Sequence, residues 1–281
     1  MRVSHSQITT FAKCGEQYRL ERVLKVPRLP GWALVGGSAF HAMTEDWDRE
    51  RLGTGREMLG DFDTYLDAQI ASEEEATQTE KDEWRASGRK SNAWPDKEGE
   101  AWWRHHGPIF FDRWQRWSYA APWDIYIMPD GTPAIEVEVE LSLGMGADGE
   151  ETGFVGYVDR VFDDRNGGLI VFDLKSGASK QITPRQLGTY AIGLEEKWGH
   201  RPRWGTFWDA RTGSTSEVYN LDWYDLSRLE YQAQALVMAR TLGIFLPNPS
   251  TMCPSCSVRA YCSEFMREGV IEVPQPEILE P

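Results

Sequence analysis

Hydrophobic and polar positions change their period about halfway along the chain. In residues 1–130 the apolar side chains recur at intervals of three and four, which predicts helices from Ser6, from Gly36 and through most of 57–120. The polar segment 86–96 interrupts the last of these helices and is predicted to be a mobile loop. The first part of the chain is therefore expected to be mainly helical, with a tryptophan-rich insert.

Residues 131–221 have a different pattern. Segment 134–143 alternates apolar residues with glutamates, which is the period of a half-buried strand, and 154–162 predicts a second strand. After a turn at 163–168, Leu169–Lys175 is almost continuously apolar, which predicts a central strand. A helix at 184–198 and strands at 203–208 and 217–221 follow, and 222–246 predicts a long helix. The order predicts an α/β fold with a central mixed sheet flanked by helices.

The 281 residues suffice for one large domain or two small ones. We predict a single domain spanning 1–281, with a helical N-terminal part at 1–130, an α/β core at 131–221 and a C-terminal helix and cysteine segment at 222–281. No apolar run approaches the ~20 residues of a membrane span, and the first residues lack the apolar core of a signal peptide. A cytoplasmic protein without a membrane partner is expected.

The net charge of −14 at first argues against a nucleic-acid partner, because proteins that bind phosphates are usually basic. The excess is local, however. Residues 45–83 hold 14 acidic and four basic side chains, and residues 264–281 hold five and one. These two segments account for the whole −14, so the charge does not exclude DNA from the rest of the molecule.

Three predicted strands bring candidate catalytic groups together. Asp173 and Lys175 are two residues apart, so both side chains point to one face of the third strand. A hairpin through the turn at 163–168 would place Asp159 beside Asp173, and Glu138 on the first strand can add a third carboxylate. Clustered carboxylates repel one another unless a cation neutralises them, and Mg²⁺ or Mn²⁺ prefers such oxygen ligands. An ordinary Asp–Lys ion pair is the alternative interpretation of the short motif.

Other residues fit the same site less specifically. Gln186 and Tyr190 are four apart on a predicted helix and share a face, and His41 lies on an early helix. Each is by itself more often a structural or surface residue.

Five of these sequence features, taken in order, resemble the motifs of the PD-(D/E)XK nucleases of the RecB type, which have a restriction-endonuclease-like fold. They are Gly37–His41, Glu138, Gly156–Asp159, Asp173–Lys175 and Gln186–Tyr190. The resemblance implies that His41, Asp159, Asp173 and the carbonyl of Leu174 bind the metal and that Lys175 is the catalytic lysine. It also implies that Gln186 and Tyr190 support the site and the DNA. Glu136, Glu138 and Glu140 share one face of the strand, and Glu138 is chosen by its spacing to the following apolar residues.

Four cysteines form a second candidate metal site. Cys253, Cys256 and Cys262 are clustered in the sequence and Cys14 is remote, which suits a four-thiolate site that ties the C-terminal segment back to the first helix. Zinc and a 4Fe–4S cluster both accept four thiolates. The lone N-terminal cysteine with the C-terminal triplet resembles iron–sulfur nucleases of this type, among them AddB-like subunits and CRISPR-associated exonucleases of the Cas-four type. The resemblance implies iron–sulfur, with zinc as the alternative.

Together these observations predict a metal-dependent exonuclease that hydrolyses DNA at its ends. We expect it to act alone and to prefer single strands, in phage or CRISPR-type DNA processing or recombination, where a protein partner is possible. The alternative is a non-catalytic DNA-binding or scaffold subunit that uses the nuclease fold. An RNA nuclease or an acidic mimic of DNA would rest on the net charge alone.

Overall fold

The computed structural model describes residues 1–54, 57–178 and 183–265. Most of the predicted acidic C-terminal tail lies outside the described residues. Seven α-helices occur in the described part of the chain: α1 His5–Lys13, α2 Gly15–Tyr18, α3 Trp32–Arg51, α4 Phe62–Thr77, α5 Glu100–Ala120, α6 Arg185–Trp198 and α7 Leu226–Leu242. The described strands are β1 Arg2–Val3, β2 Asp124–Ile125, β3 Ile135–Met145, β4 Glu151–Asp163, β5 Leu169–Lys175, β6 Trp204–Asp209, β7 Ser214–Thr215 and β8 Tyr219–Asn220.

The chain divides into two compact units, each built from separate stretches of sequence. Residues 31–141 and 155–226 form one, which we call the sheet unit, and residues 1–30, 142–154 and 227–281 form the other, the terminal unit. The long strands β3 and β4 contribute residues to both units. The prediction of a single domain with three consecutive parts stays a prediction.

In the sheet unit, β5 lies between β4 and β6. It pairs antiparallel with β4 and parallel with β6, and α6 provides the crossover that parallel neighbours need. Six of its seven residues are buried, as its continuous apolar sequence predicts for a central strand. The predicted α/β class with a mixed sheet and flanking helices is confirmed, and it is consistent with a restriction-endonuclease-like fold.

Aromatic side chains form most of one core cluster of the sheet unit. Phe172 and Trp208, from the two central parallel strands, pack with Phe40 of α3 and with Trp103 and Trp114 of α5. Seven of the 13 tryptophans are less than 9 % exposed, so just over half of them serve the core.

A glycine sets the distance between two helices of this core. A Cβ atom on Gly36 would lie 2.0 Å from the Trp103 ring, so only glycine lets α3 pack this closely against α5. Gly36 was predicted to open the second helix, but α3 begins four residues earlier, at Trp32. The reason is tertiary: close packing, not a helix start, requires the glycine.

The terminal unit begins at a capped helix. The Ser4 side chain accepts a hydrogen bond from the backbone N–H of Gln7 and so caps α1, which starts at His5, one residue before the predicted position. β1 runs parallel to the start of β4, and the Tyr18 hydroxyl accepts a hydrogen bond from Arg240 of α7 at 3.2 Å. No described helix is both long enough and apolar enough to cross a membrane.

Candidate functional site

Three side chains of the sheet unit converge as a candidate metal site. His41 of α3, Glu136 of β3 and Asp159 of β4 each offer a ligand atom, and these atoms lie within 4.8 Å of one another. His41 Nδ1 is 3.6 Å from Asp159 Oδ2. One imidazole nitrogen and two carboxylate oxygens are a donor set that suits Mn²⁺ or Mg²⁺ and leaves other coordination positions for water or substrate oxygens.

The backbone of neighbouring elements fixes these three residues. Arg49, two turns after His41 on α3, donates a hydrogen bond to the carbonyl of Ile135 and so holds the start of β3 against the helix. The backbone N–H of Leu174 donates to Asp159 Oδ2 at 2.7 Å, which turns that carboxylate toward the end of β5. The backbone of Leu174 also interacts with the His41 ring by a hydrogen bond. Leu174 is therefore at the site, and the metal role of its carbonyl stays a prediction.

The structure corrects the choice of glutamate. Glu138 is exposed and accepts a hydrogen bond from the Tyr157 hydroxyl at 2.9 Å, away from the three-residue group. Glu136 joins the group instead, with a backbone φ of 49° that an L-residue rarely adopts and that costs on the order of 1–3 kcal/mol. Both glutamates belong to the same alternation of the strand, so the sequence could not separate them.

Asp173 and Lys175 lie together beside this group, as their spacing predicts. Lys175 Nζ is 2.6 Å from Asp173 Oδ2 and donates to Gln186 Oε1 at 3.0 Å. The Gln186 amide nitrogen in turn donates to the Tyr190 hydroxyl at 3.0 Å. The last contact fixes the amide so that its oxygen faces the lysine. One ion pair and two hydrogen bonds thus link the four residues from β5 to α6.

Burial and repulsion between carboxylates raise the pKa values of two acids of the site. Burial, and then the charge of Asp159, raise the pKa of Glu136 to about 7. Burial also raises the pKa of Asp173 to about 7; Asp159 adds to this rise, while Lys175 opposes it. Three mutually repelling carboxyl groups in a partly dry site are the arrangement that a divalent cation relieves. Asp173 lies outside the group within 4.8 Å, and its predicted metal role is untested.

The pKa values of the two basic residues at the site, His41 and Lys175, shift in opposite directions. Desolvation, together with the charges of Lys175 and Arg160, lowers the pKa of His41, so the ring is neutral and able to ligate at pH 7. Desolvation also opposes the charge on Lys175, but Asp173 and Asp159 outweigh it and raise the pKa of the amine. Lys175 is therefore a fixed positive charge next to the acidic group.

The sequence analysis missed a buried ion pair beneath the site. Arg160 is 1 % exposed and donates to Asp48 Oδ2 of α3 at 2.8 Å and to the carbonyl of Asp159 at 2.6 Å. It thereby links the helix that carries His41 to the strand that carries Asp159. A buried ion pair of this kind is worth little as a net source of stability, but loss of either partner leaves an uncompensated charge. An arginine directly after a motif aspartate was the only signal in the sequence.

The four cysteines all lie in the terminal unit, half-buried and free of disulfide bonds. The backbone N–H groups of Asn248 and Ser250 donate to the sulfurs of Cys14 and Cys253, at 3.4 and 3.2 Å. Burial raises the pKa of Cys256, and Glu21, Cys262 and Cys14 add to the rise. Within the described part of the chain, however, no three thiols lie within 4.8 Å of one another. The predicted four-cysteine metal cluster is not shown.

Three comparisons with known proteins match most of the chain. The Gene 69 protein of Mycobacterium phage D29 is 27% identical over 274 residues, which cover 93% of this chain and 96% of that protein. A solved structure of a suspected exonuclease from Eubacterium rectale is 14% identical, covers 98% of this chain and 91% of its own, and has a TM-score of 0.49. The family model of the PD-(D/E)XK nuclease superfamily matches residues 2–263, nearly the whole chain. By that match, the chain belongs to the PD-(D/E)XK nuclease superfamily.

Proposed function

We propose that the protein is a Mg²⁺- or Mn²⁺-dependent deoxyribonuclease that acts as an exonuclease at DNA ends. The observation that carries the proposal is the convergence of His41, Glu136 and Asp159 beside the Asp173–Lys175 pair. Superfamily membership supports a nuclease and a DNA substrate. Action on ends and a preference for single strands extend beyond that support and are part of the proposal.

The side chains fit a divalent metal. The donor atoms of His41, Glu136 and Asp159 are close enough to share one ion. Burial and the charge of Asp159 raise the pKa values of Glu136 and Asp173, and a bound cation would offset that repulsion. When bound, such an ion supplies a water of lowered pKa and stabilises charge on the phosphate. His41, Glu136 and Asp159 would hold it, and Asp173 and the Leu174 carbonyl are further predicted ligands.

Lys175, Gln186 and Tyr190 together position one positive charge, the ammonium group of Lys175. Lys175 presents its ammonium at the edge of the acidic group, where it can orient the attacking water or stabilise the negative charge that develops on the phosphate. Gln186 holds the ammonium, and Tyr190 holds Gln186. Burial raises the pKa of Tyr190, so its hydroxyl stays protonated and serves only to orient the amide. In this proposal Lys175 acts on the reaction, while Gln186 and Tyr190 are positioning residues.

A phage setting is favoured by the relative from Mycobacterium phage D29, which matches along nearly its full length. Within that setting we propose a stand-alone enzyme of DNA processing or recombination. A protein partner in a recombination or CRISPR complex and a cytoplasmic location stay predictions.

The test is digestion of end-labelled linear DNA and of covalently closed circular DNA, single- and double-stranded, across a titration of Mg²⁺ and of Mn²⁺. We expect metal-dependent release of label from linear DNA, fastest on single strands, with the circles intact and EDTA stopping the reaction. Cleavage of circles at the same rate would refute the exonuclease proposal. Binding of DNA without cleavage at any metal concentration would favour the rival, a non-catalytic DNA-binding or scaffold subunit.

We also propose that Cys14, Cys253, Cys256 and Cys262 hold a 4Fe–4S cluster with a structural role. Two of the four sulfurs accept backbone hydrogen bonds, a contact that the thiolates of iron–sulfur clusters also accept. A single zinc ion at about 2.3 Å from each sulfur needs the thiols about 3.8 Å apart, closer than the structure brings any three of the four. Zinc remains the alternative. Iron and zinc analysis of anaerobically purified protein, with its visible spectrum, separates the two: a colourless zinc protein would contradict the proposal.

A further inference from the structure

A cleft of about 660 Å³ opens in the sheet unit, where α3 and α5 begin and segment 81–99 covers them. Segment 81–99 belongs to the tryptophan-rich insert, residues 57–130, which matches none of the motifs named above. The volume lies within the range of small-molecule sites, about 300–1,000 Å³. Part of the predicted loop 86–96 forms one wall. Trp94 and Ser91 exchange backbone hydrogen bonds at 3.1 Å there, and Lys97 N–H donates to the Trp94 carbonyl, so the wall is a defined turn.

Four tryptophans line the cleft, and they differ in what they expose. Trp32, Trp84 and Trp102 are only 4–7 % exposed, so they form a rigid apolar floor. Trp94 is half-buried and packs against His105 and His106, with ring centroids 5.2 and 5.1 Å apart. Trp94 is therefore the one of these four rings with substantial surface for a flat ligand.

Some charged side chains of the cleft are already paired with one another, whereas others could contact a ligand. Lys81 and Arg104 both contact Glu100, at 2.9 and 2.7 Å, so their charges are compensated. The Lys97 side chain is half-buried and has no ion-pair or hydrogen-bond partner among the described residues. Two exposed carboxylates, Asp82 and Asp96, also line the cleft. An aromatic face, an uncompensated ammonium and free acceptors thus meet in one small space.

We infer that this cleft binds an unpaired base of single-stranded DNA. The base would lie on Trp94, its exocyclic amine would donate to Asp82 or Asp96, and its phosphate would contact Lys97. The uncompensated ammonium of Lys97 disfavours a cationic ligand, although an aromatic cleft with acids could otherwise accept one. This inference rests on the proposed DNA nuclease function and gives a physical origin to its single-strand preference.

A charged bridge connects the cleft to the catalytic strand. The Arg211 guanidinium lies 4.9 Å from the centre of the Trp102 ring and donates to both oxygens of Glu98, at 3.0 and 2.9 Å. It also donates to the carbonyl of Ser176, the residue directly after Lys175. Trp32 and His41 are nine residues apart on α3, about 14 Å along the axis. A strand bound in the cleft is thus held a short distance from the candidate metal group.

The test uses a single-stranded oligonucleotide that carries 2-aminopurine, an amine-bearing base whose fluorescence falls when it stacks on an aromatic ring. Binding is measured in EDTA, so no cleavage occurs. We expect quenching by the wild-type protein and an about 5- to 150-fold weaker affinity for Trp94→Ala, with Trp94→Phe close to wild type. Trp223→Ala, at a 53 % exposed tryptophan outside the cleft, is the matched control. Lys97→Met should weaken binding and reduce its salt dependence.

Equal quenching and affinity in Trp94→Ala and wild type would overturn the inference. In a second measurement, dCMP and dTMP compete with the oligonucleotide for the protein. Equal competition by the two nucleotides would also overturn the inference, since only cytosine carries the exocyclic amine. Melting temperatures show whether Trp94→Ala still folds, and Lys97→Met gives an independent answer if it does not. The proposed nuclease function is tested separately by cleavage with metal. Normal cleavage with no cleft effect refutes only the cleft, whereas binding without cleavage refutes the nuclease.

Discussion

Replacement of Lys175 by methionine is expected to lower metal-dependent cleavage of linear DNA by about 10²–10³-fold at neutral pH. Methionine keeps most of the side-chain length but removes the ammonium that lies 2.6 Å from Asp173 and 3.0 Å from Gln186. The loss should fall on the rate of the chemical step, because a charge aimed at the developing phosphate anion acts mainly in the transition state. Single-turnover cleavage at saturating Mg²⁺ measures it.

Lys197→Ala is the matched control, since this exposed lysine lies in the last turn of α6 in the same unit, away from the acidic group. It should cleave at the wild-type rate. Titration calorimetry with Mn²⁺ completes the test: Lys175→Met should still bind the metal, because the lysine is not a ligand. Retained cleavage in Lys175→Met contradicts the proposed role, and loss of both metal binding and fold would show that the lysine is structural.

Glu136→Gln is expected to weaken Mn²⁺ binding by at least about 10–100-fold, and cleavage by a similar factor at limiting metal. The amide preserves size but removes the negative charge from a group whose donor atoms lie within 4.8 Å of those of His41 and Asp159. The variant should also be slightly more stable than wild type without metal, because it removes a half-buried carboxyl that Asp159 repels.

A second glutamate on β3, Glu138, provides the matched control for Glu136→Gln. Glu138→Gln changes the same residue type two positions later, at an exposed site bonded to Tyr157, and should stay within about twofold of wild type in metal affinity and rate. Calorimetric titrations with Mn²⁺ and cleavage rates, measured on both variants, show which of the two glutamates binds the metal. A large effect in Glu138→Gln with a silent Glu136→Gln would restore the choice made from sequence spacing and contradict the geometry.

The elements of the sheet unit were predictable to within a few residues because their signals are local. Continuous apolar sequence identified β5 as central, and the two-residue spacing of Asp173 and Lys175 placed both side chains together on one face. The four-residue spacing of Gln186 and Tyr190 similarly anticipated their hydrogen bond. Period and spacing follow from backbone geometry, which acts over a few residues.

Other features depended on groups far apart in the sequence. Gly36 looked like the start of a helix, but its lack of a side chain serves the Trp103 ring, 67 positions away. Arg160 and Asp48 form a buried pair across 112 positions, and no local pattern marks it. The tryptophan cleft is likewise assembled from the beginnings of two helices and the segment between them.

The sequence by itself determined the α/β class, the order of the elements and the identity of most candidate catalytic residues, because backbone periodicity and motif spacing are local properties. Only the tertiary structure decided which glutamate joins His41 and Asp159, since Glu136 and Glu138 share one strand face and differ only in their neighbours and backbone angle. It also showed that Asp159 lies close enough to Glu136 and Asp173 to raise their pKa values. Such repulsion falls off over a few ångströms, so it depends on distances through space that sequence spacing does not fix.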